Sequence, residues 1–445
     1  MNNITVDFSK STGKMKIMHS VNNGPAGSDV RGTSNAKYFK EAKIPYARTH
    51  DASFYAGYGG EHTVDIHAIF KNFDADVNDP KYYDFEMTDM YLKRIQGIGC
   101  ETFYRLGSKI EHEKKFGTYP PKDNQKWAEI CEHIIRHYNE GWAEGFHYGI
   151  KYWEIWNEPD CLNPDESTPC WQGTQEQFVE LFITVLKHLK KCFPNLKIGG
   201  PALCSSWNES WNGAIFGALQ KENMTMDFFS FHCYAKEPYS FYKSGEQAYS
   251  VLKRYGCEGK TELILNEWNY IRGWLGEEIV YSYKAIAGLK GSSFIAGTMC
   301  EGQKSKLDQM MYYDARPCTF NGMFDIYMQP LKGYYPFKIY GELYGMGECV
   351  FSESDEKGLY NVAAKGENCC GVMFTHYDEN DETEVKQVEL TLNNLPEGRQ
   401  KIEYFLISED KDLETVWCET VETKELSVTL NVPLHNTYYI RITKL

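Results

Sequence analysis

Two short segments of this sequence each carry a glutamate where acid–base chemistry could occur. Trp156-Asn157-Glu158-Pro159 and Leu265-Asn266-Glu267-Trp268 each end an apolar run, and their glutamates are 109 residues apart. Two carboxyl groups that face each other can cleave a glycosidic bond. The protonated one donates to the leaving oxygen, while the ionised one attacks or activates water. A negative neighbour raises the pKa of a carboxyl group, so one site can hold both forms near neutral pH.

Residues so far apart meet only if the fold brings several chain segments back to one place. Between about residues 15 and 300, short apolar runs alternate with amphipathic stretches, of which 127–138 and 178–189 are the clearest. The eight strand candidates are 16–21, 46–50, 101–105, 152–156, 196–200, 228–232, 263–266 and 294–298. This alternation predicts an α/β fold, a (β/α)₈ TIM barrel with its site at the carboxyl ends of the strands. An open doubly wound sheet is the alternative, but no GxGxxG or P-loop pattern follows the first strand.

The pattern changes after about residue 345. Apolar residues then fall at every second position in four runs, which are 388–392, 402–406, 426–430 and 438–442. Such alternation, interrupted by turn signals, is typical of a β-sandwich. Ile4, Val6 and Phe8 alternate in the same way. We therefore predict a barrel over 15–345, a C-terminal β-sandwich over 346–445, and an N-terminal strand within 1–14 that joins the sandwich.

Composition excludes several classes of partner. The net charge is −15, and the chain has no long Lys/Arg-rich run, which disfavours nucleic acid and anionic membranes as partners. The first residues lack a basic, apolar leader, and the 14 cysteines contain no CxxC pair. These features lead us to expect a cytoplasmic protein with free thiols. They leave the oligomeric state open, including a homo-oligomer.

Several motifs together resemble a known family. Trp156-Asn157-Glu158-Pro159 with Glu267 is similar to the retaining barrel glycosidases of clan A, while Arg48-Thr49-His50 and Ser230-Phe231-His232-Cys233-Tyr234 narrow the resemblance to glycoside hydrolase family 39. That family contains β-xylosidases and α-L-iduronidases and pairs a barrel with a β-sandwich.

The resemblance implies a role for each matching residue. Glu158 resembles the acid/base, Glu267 the nucleophile, and Asn157 a hydrogen-bond partner of the sugar 2-hydroxyl. The resemblance further implies sugar-contacting or nucleophile-orienting roles for His50, His232 and Tyr234. It implies a small glycoside or oligosaccharide as substrate, with no cofactor and no metal.

Two positions depart from the family pattern. Arg105 stands where an acidic residue is expected on strand three, and Glu301 follows the predicted strand eight where a Trp is expected. Arg105 could bind the carboxylate of a uronic acid bidentately. If it is instead paired within the protein, to Asp51 or Glu154, a neutral pentoside remains the expected substrate. Asp51, Trp268 and Glu301 complete the candidate substrate-binding residues.

The sequence thus favours a retaining, exo-acting glycosidase with a double-displacement mechanism, acting on β-xylosides or related pentosides. A uronide, arabinoside, glucoside or galactoside is the alternative substrate. From other classes, a catalytically inactive sugar-binding barrel requires a lost carboxylate, and a metal-dependent barrel lyase requires carboxylates at successive strand ends. Both glutamates are present, and strands five and six end without carboxylates.

Each candidate residue also has a structural alternative. Glu158 and Glu267 could be structural acids, Arg48 and His50 a salt network at the barrel rim, and His232, Tyr234 and Trp268 packing residues. His62 and His67 stand among acidic residues in the long loop 51–83, but without tight ligand spacing we interpret them as part of a solvated loop. That loop and the segment 312–317 are predicted to form walls of the pocket.

Overall fold

The computed structural model describes residues 2–28, 33–51, 63–163 and 165–445. The strands in these ranges are β1 (Asn2–Lys14), β2 (Ile17–Asn22), β3 (Gly27–Ser28), β4 (Thr33–Ser34), β5 (Tyr46–Arg48), β6 (Glu101–Leu106), β7 (Tyr152–Ile155), β8 (Lys197–Leu203), β9 (Phe228–Ala235), β10 (Glu262–Tyr270), β11 (Gln309–Tyr312), β12 (Glu348–Ser354), β13 (Leu359–Lys365), β14 (Cys369–His376), β15 (Lys386–Asn393), β16 (Gln400–Ile407), β17 (Asp412–Val421), β18 (Glu425–Val432) and β19 (Thr437–Lys444).

The helices lie mainly between the strands of the first 346 residues. They are α1 (Ala36–Glu41), α2 (Ile66–Ile69), α3 (Glu86–Gln96), α4 (Asn124–Glu140), α5 (Gln175–Cys192), α6 (Glu209–Lys221), α7 (Tyr239–Arg254), α8 (Gly276–Ala287), α9 (Leu289–Lys304) and α10 (Tyr334–Met346). Both clearly amphipathic stretches are confirmed as helices, α4 and α5. A capping box at Thr174 and Gln177 starts α5, and Gly141, with φ of +75°, ends α4. In the part of the chain that is described, no helix is long and apolar enough to cross a membrane.

Eight parallel strands close into the predicted barrel, in the order β10-β11-β2-β5-β6-β7-β8-β9. Its interior has an apolar floor formed by Tyr46, Phe103, Tyr152, Phe228, Ile264 and Met311. On five of these strands, the residue two positions after the floor residue lies on the same face and is polar. These residues are Arg48, Arg105, Glu154, Ser230 and Asn266. Because side chains alternate along a strand, this pattern puts a polar layer above the floor, towards the carboxyl ends.

The predicted eighth strand, 294–298, was wrong, because these residues lie in the middle of α9. Every residue from Lys290 to Gln303 is buried, since α9 contacts the barrel strands on one side and β13 and β14 on the other. A helix covered on all sides lacks the apolar stripe that identifies a surface helix, so its sequence resembles a buried strand. The eighth strand is β11, only four residues long.

The remaining strands form one nine-stranded sheet, in the order β17-β16-β19-β14-β13-β12-β1-β15-β18. All four predicted runs are strands of this sheet: β15, β16, β18 and β19. The N-terminal β1 lies between β12, to which it is antiparallel, and β15, to which it is parallel. Inward-facing residues of β1, β15, β16 and β19 share a single core. The sheet therefore curls over itself as a sandwich.

One carboxylate of the sandwich connects it to the barrel. Glu379 accepts hydrogen bonds from the Tyr270 hydroxyl at 2.9 Å and the Arg272 guanidinium at 2.6 Å, and it lies 3.2 Å from the Lys290 ammonium. Tyr270 ends β10, the strand that carries Glu267. The sandwich thus braces a strand of the barrel close to the candidate site.

Candidate active site

Glu158 and Glu267 meet at the carboxyl ends of the barrel strands. A carboxylate oxygen of each and a ring nitrogen of His232 all lie within 4.8 Å of one another. The Glu267 side chain is 6% exposed and that of Glu158 is 16% exposed, so both groups are largely withdrawn from water. The structure thus brings together the two carboxyl groups that the sequence singled out.

Glu267 is surrounded by groups that favour its ionised form. The Arg48 guanidinium donates to one carboxylate oxygen at 2.7 Å, and the Tyr234 hydroxyl donates to the other at 2.9 Å. His232 Nδ1 lies 3.5 Å from the second oxygen. Burial raises the pKa of Glu267, and the charge of Arg48 opposes that effect only in part. The hydrogen bonds from Arg48 and Tyr234 stabilise the anionic form of this carboxyl group.

Glu158 lies in a different electrostatic environment. Burial, with the negative charges of Cys161 and Asp160, raises the pKa of Glu158 to about 8. Its Oε1 atom lies 2.7 Å from His232 Nδ1, and it makes no ion pair with Arg48. Burial also lowers the pKa of His232 to about 4, so the imidazole is neutral. At neutral pH, Glu158 therefore carries a proton that it can donate.

The backbone that presents Glu158 adopts an unusual conformation. Trp156 and Glu158 have φ angles of +75° and +46°, in the left-handed region that costs non-glycine residues on the order of 1–3 kcal/mol each. Hydrogen bonds from Trp156 N to Leu106 O at 2.7 Å and from Glu158 N to Ala202 O at 2.9 Å hold this turn. The neighbouring strands thus fix the direction in which the carboxyl group points.

Arg48 connects several residues of the site. Its Nε atom pairs with Glu154 at 2.7 Å, and its Nη1 atom donates to Glu267 at 2.7 Å and to Asn22 Oδ1 at 3.0 Å. Its Nη2 atom donates to Asn157 Oδ1 at 2.6 Å. The guanidinium is fully buried but is satisfied on all three nitrogens. It therefore links the candidate nucleophile to three other strands of the barrel.

No sequence motif identifies Glu154 as part of the site. Glu154 is completely buried and also accepts hydrogen bonds from Ser230 Oγ at 2.6 Å and from Asn266 Nδ2. Glu154 is a charged residue inside an otherwise apolar strand. Since a buried charge needs an opposite charge nearby, this feature of the sequence indicates a buried ion pair. Nothing in the local sequence identifies Arg48 as that partner.

His50 and Asp51 lie on the other side of Glu267. His50 Nε2 is 3.8 Å from Glu267 Oε1 and 3.6 Å from Asp51 Oδ1, and burial lowers the pKa of His50 well below its usual value. Asp51 accepts a hydrogen bond from the Tyr313 hydroxyl and pairs with Arg316 at 3.3 Å. The segment 312–317 was predicted to form a wall, and two of its residues contact the candidate site residue Asp51.

Arg105 has neither of its expected partners. Its Nη2 atom donates to Asp65 Oδ1 at 2.6 Å and to the carbonyl oxygen of His50 at 2.7 Å, and the Arg105 and Asp65 side chains are both 0% exposed. The interpretation of the 51–83 loop as solvated was therefore wrong at Asp65, which turns inward to neutralise the arginine. Arg105 supports the backbone of His50, and Asp65 balances its charge.

Two predicted substrate-binding residues lie outside this cluster. Trp268 points away from the neighbouring Glu267, with its ring centroid 5.7 Å from that of Phe241 and 5.1 Å from that of Tyr312. A register shift in β10 between Leu265 and Glu267 brings Glu267 to the barrel mouth, and Trp268, the next residue, then faces the opposite side of the strand. Glu301 lies near the end of α9, with Lys304 as its ion-pair partner at 3.9 Å. Its expected position depended on the strand assignment that the structure overturns.

Three groups in the described ranges bring potential metal ligands within 4.8 Å of one another. They are Glu132, His188 and Cys192; Glu158, Cys161 and Cys204; and Glu158, His232 and Glu267. His62, which the sequence paired with His67, lies outside the described residues. His67 itself is 4.0 Å from Asp65, the partner of Arg105.

The barrel, the sandwich and the paired carboxyl groups together define a protein of the barrel glycosidase type. The profile of the family described as "Glycosyl hydrolases family 39" matches residues 35–268, which is slightly more than half of the chain and includes both glutamates. The chain therefore belongs to glycoside hydrolase family 39.

Individual relatives are more distant. A β-xylosidase of Geobacillus stearothermophilus is 24% identical over 201 residues, which are 42% of this chain and only 37% of that relative's length. The solved structures of a glucosidase from Croceicoccus marinus and a monomeric β-xylosidase from Caulobacter crescentus have TM-scores of 0.80 and 0.74. The glucosidase is 19% identical to this chain and the β-xylosidase is 14% identical. Each comparison covers 100% of this chain, with 99% of the glucosidase and 100% of the β-xylosidase. At such identities the two structures show a shared fold.

The Arg105–Asp65 pair yields a stability prediction. Replacing Asp65→Asn leaves a buried guanidinium without a counter-charge, so we expect a loss of about 3–5 kcal/mol in the free energy of unfolding. Asp74→Asn in the same loop is the matched control, because its pair with Lys122 is 75–76% exposed and should contribute at most about 1 kcal/mol. Urea unfolding of both variants measures the difference, and equal losses would contradict this account of Arg105.

Proposed function

We propose that this chain is a retaining glycoside hydrolase in which Glu158 is the acid/base and Glu267 is the nucleophile. The observation that carries the proposal is the pairing of two carboxyl groups, Glu267 buried and Glu158 partly buried, with oxygens within 4.8 Å, in different electrostatic environments. One is hydrogen-bonded by an arginine and a tyrosine, and the other has its pKa raised to about 8. This combination of an ionised and a protonated carboxyl group is what double displacement requires.

The short separation supports retention of configuration. Retaining enzymes hold their carboxyl groups about 5–5.5 Å apart, whereas inverting enzymes need about 6.5–9.5 Å to admit a water molecule. One oxygen of Glu158 and one of Glu267 lie within 4.8 Å, which is closer to the spacing of retaining enzymes than to that of inverting enzymes. The geometry therefore favours direct attack by Glu267.

In the first step of the proposed mechanism, a Glu267 oxygen forms a bond to the anomeric carbon. The bond from that carbon to the leaving oxygen breaks, and this oxygen takes the proton of Glu158. In the second step, water attacks the same carbon, the bond to Glu267 breaks, and Glu158 accepts the proton of the water.

Asn157 is placed to support both steps. Its Oδ1 atom is engaged by Arg48, while its buried Nδ2 atom has no hydrogen-bond partner among the described residues. A buried donor without a partner is costly. We propose that Nδ2 donates to a sugar hydroxyl beside the reacting carbon, which family resemblance identifies as the 2-hydroxyl.

For the substrate we propose β-xylosides or related pentosides, released from a chain end. Two relatives named β-xylosidases support the sugar. The internal pairing of Arg105 with Asp65 and of Arg316 with Asp51 and Asp314 supports a neutral ligand, because these described arginines already have carboxylate partners. An anionic sugar would need a cation that is not neutralised within the protein.

Azide rescue distinguishes the roles of the two glutamates. On a nitrophenyl β-xyloside, Glu158→Ala should lose general acid–base help worth about 10²–10⁴-fold, and azide should restore turnover with a glycosyl azide of retained configuration. Glu267→Ala should lose the covalent step, and azide should yield the inverted product. NMR of the anomeric proton reads both outcomes.

The wild-type protein is the control for this experiment, with product of retained configuration. The opposite azide products would show that the two roles are exchanged. Absence of hydrolysis by wild type, combined with saturable sugar binding, would support the alternative of an inactive sugar-binding barrel.

The raised pKa of Glu158 predicts a pH dependence. The proton donor must be protonated in the free enzyme, so kcat/KM for a poor leaving group should fall about tenfold per pH unit above pH 8. Groups that face Glu158 are Asp160, Cys161, Cys170, Cys204 and His232, with the positive charge of Arg48 nearby. A dinitrophenyl glycoside needs little proton donation and serves as the control. If kcat/KM falls equally steeply with pH for both substrates, the titration of a group other than Glu158 causes the decline.

A panel of nitrophenyl glycosides tests the substrate. The internal arginine pairs predict that kcat/KM for the β-xyloside exceeds that for the β-glucuronide by at least about tenfold, since Arg105 and Arg316 already have carboxylate partners. Xyloside, arabinoside, glucoside, galactoside and glucuronide are compared at one pH. A preference for the glucuronide would overturn the neutral-substrate proposal while leaving the two-glutamate mechanism intact.

A further inference from the structure

Three cysteines are grouped around Glu158, and the proposed mechanism uses none of them. Cys161 lies in the turn directly after Glu158, Cys204 follows β8, and Cys170 is 3.9 Å from Glu158 Oε2. The thiols of Cys170 and Cys204 both hydrogen-bond to the sulfur of Cys161, which lowers the pKa of Cys161. All three are free thiols.

We propose that Glu158, Cys161 and Cys204 form a binding site for a thiophilic divalent cation of the Zn²⁺ type, and that occupation of this site blocks the acid/base. The sulfur atoms of Cys161 and Cys204 and a carboxylate oxygen of Glu158 all lie within 4.8 Å of one another. A set of two thiolates and a carboxylate binds Zn²⁺ and Cd²⁺ more strongly than it binds harder cations.

The spacing requires little rearrangement. Zinc–sulfur bonds of about 2.3 Å and zinc–oxygen bonds of about 2.0–2.2 Å in a tetrahedron separate ligand atoms by roughly 3.3–3.8 Å. Side-chain rotations that shorten the present distances by about 1 Å would reach that geometry. Cys161, Cys204 and Glu158 are only partly buried, so part of each residue is exposed to solvent. The fourth coordination position is available to Cys170 or to a water molecule.

The two other groups of potential ligands are less suited to a soft cation. In the group of Glu158, His232 and Glu267, the Arg48 guanidinium already lies 2.7 Å from Glu267 and opposes a second positive charge. In the group of Glu132, His188 and Cys192, the carboxylate is engaged by His188 at 2.6 Å and by Arg136, and only one thiol is present. The site beside Glu158 combines two thiols with a carboxylate that lacks an arginine partner among the described residues.

Cation binding would have a defined chemical consequence. The thiols of Cys161 and Cys204 and the protonated carboxyl group of Glu158 each release their proton as they become ligands, so affinity rises with pH. A carboxylate that coordinates the metal has no proton to donate to a leaving group. This loss of activity rests on the function proposed for Glu158, whereas the binding of the cation does not.

The test uses Cd²⁺ as the probe on the full chain, with thiols kept reduced. The ultraviolet thiolate-to-cadmium absorption should saturate at one equivalent, and Cys161→Ser and Cys204→Ser should each halve the absorption and weaken binding at least tenfold. Cys192→Ser is the matched control and should titrate like wild type. Glu158→Gln should keep the absorption at saturation but bind more weakly.

Zn²⁺ should inhibit hydrolysis by the wild-type protein, and EDTA should reverse the inhibition. Each cysteine variant, compared with its own metal-free rate, should need at least tenfold more Zn²⁺ for the same inhibition.

Circular dichroism checks that each variant is folded, and Cys161→Ala replaces Cys161→Ser if the latter is unfolded. An absorption that is undiminished in Cys161→Ser, or one that disappears in Cys192→Ser, overturns the site. Wild-type affinity in Glu158→Gln overturns its blocking role, and an inactive wild-type protein with intact Cd²⁺ binding refutes only the proposed function.

Discussion

The arrangement of the barrel mouth depends on one buried guanidinium. Arg48 is excluded from water, and an uncompensated charge in such a place costs several kcal/mol. Glu154 and Glu267 both lie 2.7 Å from it, on β7 and β10, while Asn22 and Asn157 accept its remaining hydrogens. Strands that are distant in sequence are thereby held in register around one cation. The position of Glu267 follows from this pairing.

The same interaction separates the properties of the two glutamates. Arg48 pairs with both Glu154 and Glu267. Glu158 is withdrawn from water beside negative charges and forms no ion pair with Arg48. The pKa of Glu158 therefore rises to about 8, although both groups are within 4.8 Å of the same imidazole nitrogen. The cysteines beside Glu158 contribute to this environment, and they also make it the part of the pocket best suited to a soft cation.

Prediction from sequence succeeded for elements that have either a regular apolar period or a short apolar run. Helices α4 and α5 and the four alternating runs of the sandwich have the period, and the first seven barrel strands are short runs. Helix α9 is covered on every face, so the period that would have distinguished it from a strand is missing. The placement of Glu301 at the site failed for the same reason.

The sequence by itself determined the two candidate glutamates and the strands that carry them, because motif spacing and hydrophobic period are local properties of the chain. Only the tertiary structure decided which charges pair. Arg105 takes Asp65 from a loop 40 residues away, and Arg48 takes Glu154 and Glu267, 106 and 219 residues away. Electrostatic pairing depends on distance in space and on exclusion of water, and the barrel establishes both only when its eight strands close.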